Sequence, residues 1–568
     1  MFLKDELYLS VMELVARAYP ASVVERLSDA LVFPGTDALV LPGGDVQSAA
    51  RVAQVVGVLL AQGRSEVEPL LWLQLMDRVT LDLVRREQDT LVDFAVKDVM
   101  LCLAAVKGFA PAQRFTLWMS RMAKIRPLRS YRWHREGSGE RLHNINLYQL
   151  CGEQCRENAG LTSAQDYIDE HLALHLEFLD ENGMYCDPGH PILYDFASRA
   201  HLALLLKLGY KGAFRGVLEE KLRRAADCSL LMQSATGAFP FGGRSNQFAF
   251  NEMLMAAVFE DEAFRAVGVG DWARYERFKG AARRAVEAAL PWISEQRHVK
   301  NFYPRESLHG CEEYAFFDKY MITAANFAFM AFLLSAPASV GDLRSEAVCR
   351  EPFFFQTSDA FHKVFAGVDG QSLEVDYRGD DRYDYTGLGR YHVQGVPEAF
   401  VLSHSFGARK DFRVASEAVP VGAAFCPGLV EADGAVVPVP DLGFSMRLVS
   451  HTVSASEVAL CWEWHGGERV ISESMVLSAQ GLAIRLEGAA PDVVVCVPVF
   501  VTDGKRVAVL EVGEDRLVNR VEDWEICFEV PGGVFGVLPQ HPVNRNGEYS
   551  LFSARGCGES WELRVFVR

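Results

Sequence analysis

The residues best suited to chemistry crowd the stretch 237–252, where Gly242 and Gly243 are followed by Arg244, Asn246 and Gln247 and then by Asn251 and Glu252. Two consecutive glycines let the backbone turn tightly without a Cβ penalty. The apolar run Met253–Val258 predicts a helix over Ser245–Phe264. A guanidinium fork and several amides would then project from one helix mouth, a donor set matched to a carboxylate. The same residue types also cap helices and brace loops, so the stretch gains weight only if it is repeated.

It is repeated. His143, Asn144 and Asn146 open a candidate helix over Leu142–Asn158, and Tyr194 and Asp195 open another over Leu193–Leu208. Positions 144, 194 and 244 therefore stand 50 residues apart. One helical hairpin takes about that length, so the clusters begin every second helix and would share one mouth of a helical ring. Tyr314 and Asp318, one turn apart, open the last candidate helix, Cys311–Leu334. Further on, Asp384–His392 sets Arg390 and His392 around Gly387 and Gly389, either as a bulged hairpin or as a completing part of the site.

These types suit removal of a proton α to a carboxylate, followed by loss of the β-oxygen substituent. The carboxylate must be neutralised before a second negative charge builds on it, a task for Asn144, Asn246 and Arg244, with Asn146, Gln247 and Arg390 as further substrate-binding groups. A tyrosine or histidine takes the proton and a tyrosine can return one, which makes His143, Tyr194, Tyr314 and His392 the candidate acid–base groups. This chemistry requires no cofactor and no catalytic metal.

The elements that must position these residues fall into two classes. Up to residue 336 the apolar positions recur at helical spacing, in about a dozen segments separated by Gly, Pro and Asn punctuation. That pattern predicts an α/α toroid, an incomplete barrel, as an N-terminal catalytic domain over 1–336. The segment Met321–Leu334 is apolar on nearly all sides, as an inner-ring helix would be. From 350 to 568 valine becomes abundant and short runs such as Glu457–Trp464 alternate apolar with polar, which predicts an antiparallel β-sandwich.

At 568 residues and a net charge of -18, the chain is too long for one core and too acidic to attract nucleic acid or an anionic membrane. No segment is apolar for the ~20 residues a bilayer needs, and acidic residues stand near the N-terminus where a secretory signal would carry a basic run. A cytoplasmic location is expected, which favours exo-action on oligosaccharides, with homodimerisation left open. The twelve cysteines are scattered through apolar runs and are expected as reduced thiols.

In order of elements and clusters, the chain resembles the heparinase II/III-like and alginate-lyase-type polysaccharide lyases. The resemblance rests on His143-Asn144, Tyr194 or Tyr314, the Arg244-Ser245-Asn246 cluster and His392. It implies β-elimination on a uronate-containing glycan, giving an unsaturated uronate. Some members of that family hold a structural zinc in the β-domain, for which His404, His451 and His465 are the loose candidates. Two rival readings remain: an α/α-toroid glycoside hydrolase using carboxylic acids drawn from Asp187, Asp195 and Glu313, and a non-catalytic carbohydrate-binding protein.

Overall fold

A computed structural model describes residues 6–31, 45–134, 142–189, 191–300, 302, 316–335, 348–379, 383–398, 422–544 and 546–568. Tyr314, Glu313 and His404 lie outside the described residues. The chain divides into two compact units and not by a single cut. The helical unit takes the described parts of Met1–Ala226, Phe248–His298 and Ala315–Ser345, whereas 227–247 joins the β unit with 299–302 and 348–568.

Fourteen α-helices occur among the described residues. They are α1 (Leu7–Ala16), α2 (Ala21–Ala30), α3 (Val46–Ala61), α4 (Pro69–Leu83), α5 (Thr90–Val106), α6 (Ala112–Met122) and α7 (Pro127–Ser130). There follow α8 (Ile145–Asn158), α9 (Gln165–His175), α10 (Ile192–Lys207), α11 (Arg215–Met232), α12 (Asn251–Gly268), α13 (Trp272–Ser294) and α14 (Phe317–Leu334). Helices α3, α5, α8, α10, α12 and α14 pack each on the next, and α14 returns to pack on α3, so the inner ring of the toroid is a closed circuit. Nearly every residue of α3 is buried, and so is every residue of α14 from Met321 to Ala331, as the all-round apolar pattern of the last helix requires.

Side-chain registers show that neighbouring inner helices run the same way. Arg51 of α3 meets Thr323 of α14 at 2.6 Å, and Gln54, three residues on, meets Asn326, three residues on. Gln149 of α8 reaches Asp93 of α5, and Gly152 then lies against Lys97. Between α8 and α10, the Cys151 thiol donates to the His201 carbonyl at 3.2 Å, and Asn158 donates to Leu208 O at 2.8 Å. Phe250, just before α12, stacks near Tyr320 in the first turn of α14, with ring centroids 5.9 Å apart. The starts of the inner helices therefore share one end of the ring.

Two expected helix boundaries are corrected. The helix expected over Ser245–Phe264 begins only at Asn251, because Gly242, Gly243, Ser245 and Gln247 all take positive φ, at 92°, 76°, 60° and 63°, and a left-handed backbone cannot carry the helical ladder. The described part of the helix expected from Cys311 begins at Phe317. No single described helix is long and apolar enough to cross a membrane; only the bent pair α1 and α2 reaches that length and composition together.

In the β unit, β1 (Phe353–Gln356), β2 (Lys363–Val368), β3 (Gln371–Asp376) and β4 (Gly387–Val393) form an antiparallel sheet in sequence order. The β3–β4 register slips between Glu374 and Val375, the bulge anticipated for a glycine-rich strand. An eight-stranded and a six-stranded antiparallel sheet follow, and all three contribute to one apolar core that includes Leu388, Trp462, Val495 and Phe528. Burial alternates along Glu457–Gly466 and Arg469–Ser478, so the period-2 pattern of the sequence is the pattern of the sheet.

Gly57 of α3 illustrates how tightly the ring is packed. A Cβ there would lie 2.8 Å from the Trp72 ring and 2.9 Å from Cys102 Sγ. Trp72 cannot give way, since its Nε1 donates to Ala53 O at 2.8 Å and its ring packs edge-on to Trp118. Gly57→Ala is expected to lower stability by about 1–3 kcal/mol despite its better helix propensity, measured as the urea midpoint of the helical signal; an unchanged or higher midpoint would refute the packing argument.

The sandwich core encloses Glu473, whose Oε2 accepts from Trp464 Nε1 at 2.7 Å while Oε1 has no protein partner. Burial pushes its carboxyl up to about 7 from 4.5. A raised carboxyl binds more protons folded than unfolded, so stability is lost as pH rises from about 4.5 to 7, by roughly 3 kcal/mol at most for such a shift. Glu473→Gln keeps the acceptor for Trp464 and should raise the melting temperature at pH 8 but not at pH 4.5. Equal effects at both pH values would remove the titration from the explanation.

Candidate functional site

Within the helical unit the expected residues at the starts of α8 and α10 come together. Asn144 precedes α8, and its backbone N–H and its side-chain amide both donate to Asp187 Oδ1 at 3.1 Å, from the loop that leads into α10. His143 is half-buried, with its ring edge-on to Trp133 at 4.6 Å between centroids. Tyr194, also half-buried, lies in the first turn of α10, within electrostatic range of the Tyr148 phenol. A histidine, an amide, a carboxylate and a phenol thus stand at two adjacent helix starts. Because the inner helices are parallel, this is also the end where their partial positive charges gather, which favours an anionic ligand.

Asn146 belongs to the support of that end. Its amide donates to Trp133 O at 2.8 Å and Gln149 Oε1 at 2.9 Å, and its Oδ1 meets His175 Nε2 at 2.9 Å. His175 Nδ1 meets the Tyr185 hydroxyl at 2.6 Å. Burial holds His175 down at about 3, so it stays neutral, with Nε2–H facing Asn146 and Nδ1 accepting from Tyr185. Gln149 continues the chain to Asp93, whose carboxyl burial pushes up to about 8 although the amides of Arg132 and Trp133 bond it. Both amide hydrogens of Asn146 are engaged and the residue is fully buried, which makes it a brace of the helix start.

The remaining expected residues belong to the β unit. The loop 234–247 packs on β3 and β4, where Phe241 N donates to both oxygens of Glu374 at 3.2 Å and Gly243 N to Asp384 Oδ1 at 3.2 Å. Arg390 donates to Phe239 O at 2.7 Å and lies 3.4 Å from Glu374. Lys363 pairs with Asp376 at 2.9 Å and sits 3.7 Å from the centre of the Phe241 ring. Burial pushes Glu374 up to about 7, against the pull of Arg390 and Lys363. Gly242 is required here, because a Cβ would strike the Asp384 carboxylate.

Asn246 spends both amide hydrogens inside this loop, on Pro240 O and Gly242 O at 2.8 Å each, and its Oδ1 accepts from Gln247 N at 2.6 Å. It braces the left-handed turn, and the expectation that it clamps a substrate carboxylate is replaced by that role. Gln247 is buried and Arg244 is half-buried on the same turn. Arg390 and His392 are both 1% exposed, with His392 Nδ1 3.5 Å from Thr236 Oγ1. Lys363, Glu374 and Asp376 were not singled out from sequence. Their signal is charge on strands β2 and β3, and sequence alone could not show that both faces of those strands are buried.

No described trio of His, Cys, Asp or Glu is arranged to hold a metal. His451 is stacked on Phe354 with centroids 3.7 Å apart, and His465 Nε2 meets Glu463 at 2.9 Å. The described cysteines are free thiols.

The fold defines the chain as a helical toroid joined to antiparallel β-sheets. No family model matches it, and no curated protein matches it. Among solved structures it is similar to "Heparinase III-BT4657 gene product, Methylated Lysines", with 9% identity, a TM-score of 0.35, and coverage of 94% of this chain and 79% of that one. It is also similar to "Heparinase III-BT4657 gene product", with 9% identity, a TM-score of 0.30, and coverage of 98% and 90%. Likeness of this degree concerns the course of the chain alone, and any chemistry has to be carried by the residues at the helix starts.

Asp195, a candidate for the carboxylate pair of a hydrolase, is tied up. It is fully buried, bonds Arg199 through both oxygens at 2.8 and 2.5 Å, and accepts from Tyr185 N at 2.6 Å. Asp195→Asn leaves the Arg199 charge buried and uncompensated, which is expected to cost about 3–5 kcal/mol of stability. Chemical denaturation followed by far-ultraviolet circular dichroism measures it; full stability with lost activity would instead return Asp195 to the chemistry.

Proposed function

We propose that the chain is a carbohydrate-active enzyme, a lyase that cleaves uronate-containing oligosaccharides by β-elimination and leaves an unsaturated uronate. The observation that carries this reading is the grouping of His143, Asn144 and Tyr194 at adjacent helix starts, at the end of the ring where parallel helix dipoles favour an anion. The uronate carboxylate would be held there by the dipoles and by the amide hydrogen of Asn144 that Asp187 does not use. Developing enolate charge would be met by the same groups, the largest share of the rate in such reactions.

Proton transfer falls to His143 and Tyr194. A phenol is a weak base at its ordinary value near 10, and works only where nearby positive charge favours the phenolate. An imidazole is the simpler base, so the proton goes to His143 and the Tyr194 hydroxyl protonates the departing oxygen. One observation favours hydrolysis as the second reading: Asp187, 3% exposed, is a carboxylate at that same end.

A panel of uronate-containing oligosaccharides separates the two. Elimination produces a conjugated double bond absorbing in the near ultraviolet, whereas hydrolysis produces new reducing ends without it. On a substrate that the protein cleaves, Tyr194→Phe should lose ~10²-fold in kcat with an unchanged melting temperature. Near-native turnover would exclude the tyrosine, and reducing ends without absorbance would move the reaction to Asp187.

A further inference from the structure

Strand β3 has one apolar face and one polar face, and both are buried. Leu373 and Val375 belong to the apolar core, so Ser372, Glu374 and Asp376 fall on the other face, beneath the loop 234–247. The loop follows that row. Ala235 N donates to Ser372 Oγ at 2.9 Å, and Phe241 N to both oxygens of Glu374 at 3.2 Å. Arg390, opposite Glu374 on β4, donates to Phe239 O at 2.7 Å. The Phe241 ring fills the space that Gly389 leaves, where a Cβ would lie 2.4 Å from it. Beyond these anchors Ser245 and Gln247 are held at φ of 60° and 63°, a strain that persists only while the surrounding contacts impose it.

Among the described residues the charged groups that act on Glu374 are Arg390 on β4, at 3.4 Å, Lys363 on β2, and Asp384 in the turn before β4. Lys363 Nζ is shared, lying 2.9 Å from Asp376 and 4.0 Å from Asp384, and Asp376 also meets His362 Nδ1 at 2.7 Å. The loop itself brings one charged side chain, Arg244. At its other end His392 Nδ1 lies 3.5 Å from Thr236 Oγ1, which donates to Glu398 at 3.2 Å. Burial outweighs the two cations and pushes the Glu374 carboxyl up to about 7 from 4.5. The loop lies directly on this carboxyl, so lifting it admits water and returns the group towards its ordinary value.

We propose that Glu374 is a proton-operated latch: protonated, it keeps the loop 234–247 docked on β3 and β4, and once ionised it favours the lifted loop, in which its charge is hydrated. The docked state holds a proton that the lifted state releases. Docking is therefore strongest below about 4.5 and weakens as pH rises from there to about 7, by up to about 300-fold in all. Arg244 rides on the loop, so the latch decides whether that guanidinium is held in place. The latch belongs to the β unit alone and stands whether or not the protein is a lyase.

Hydrogen–deuterium exchange of the full chain, read by mass spectrometry on peptides covering 234–247, tests the latch. After correction for the intrinsic exchange rate at each pH, loop opening should increase by up to about tenfold per pH unit between pH 5 and 7 and level off above about 7.5. Glu374→Gln keeps the shape and an acceptor for Phe241 N but cannot ionise, so its loop should open equally at pH 5 and pH 8. His362→Gln removes the neighbouring imidazole on Asp376 and should keep the wild-type pH dependence. Where Glu374→Gln fails to fold, the wild-type profile and His362→Gln decide. Opening of the wild-type loop that does not change with pH, a pH dependence that survives in Glu374→Gln, or one that His362→Gln abolishes each overturns the latch. An equal rise in peptides covering 457–478 would mean unfolding of the whole β unit and overturns it as well.

Discussion

The helical unit depends on one constraint, the parallel register of its inner helices. Arg51 on Thr323 and Gln54 on Asn326 fix α14 beside α3, and without that seam the six inner helices would form an open arc. Apolar packing alone would not set the register, because a helix apolar all round can slide or rotate on its neighbour at little cost. A buried polar pair allows only the alignment in which its partners meet, since any other leaves unpaired groups in a dry interior. The ring therefore owes its closure to polar atoms and its stability to apolar ones.

Parallel alignment is what gives the ring two unlike ends. Six helix starts at one end concentrate partial positive charge and unsatisfied N–H groups there, and the loops entering α8 and α10 bring His143, Asn144, Asp187 and Tyr194 to it. Beneath them the network from His175 through Asn146 and Gln149 to Asp93 holds the entry loops in place. Most of its members are neutral at neutral pH, which is how so many polar groups share a small buried volume without a large desolvation cost. In the β unit the opposite solution appears: Lys363 and Arg390 are set among Asp376, Asp384 and Glu374, and the loop 234–247 is pinned by backbone N–H groups on those carboxylates.

Much of this was legible in the amino-acid order. The switch from 3.6-residue to 2-residue periodicity near 350 separates helices from strands, and the 50-residue recurrence of polar clusters marks the starts of α8 and α10, because a hairpin of helices has a length set by geometry. Bulging in β4 follows from Gly387 and Gly389. The third cluster misled for a physical reason. Arg244, Asn246 and Gln247 have the composition of a helix start, yet Ser245 and Gln247 take left-handed backbone angles, which a non-glycine residue accepts only when long-range contacts hold it there. Glu374 and Asp384, some 130 residues or more away in the chain, hold the preceding Phe241 and Gly243, and Lys300 N donates to Gln247 O.

By itself, then, the sequence determined element types, the repeating unit of the ring and the location of two of its polar mouths, since each depends on residues near one another in the chain. Only the tertiary structure decided which polar residues serve as braces. Asn144 keeps an amide hydrogen beyond its bond to Asp187, whereas Asn146 and Asn246, equally plausible by type, have both amide hydrogens engaged within their own neighbourhoods, on Trp133 and Gln149 and on Pro240 and Gly242. It also decided that Arg51, Lys97 and Asp98, unremarked among the apolar residues of α3 and α5, meet in one buried centre. Net charge in an interior is a property of three-dimensional neighbours, and no local pattern encodes it.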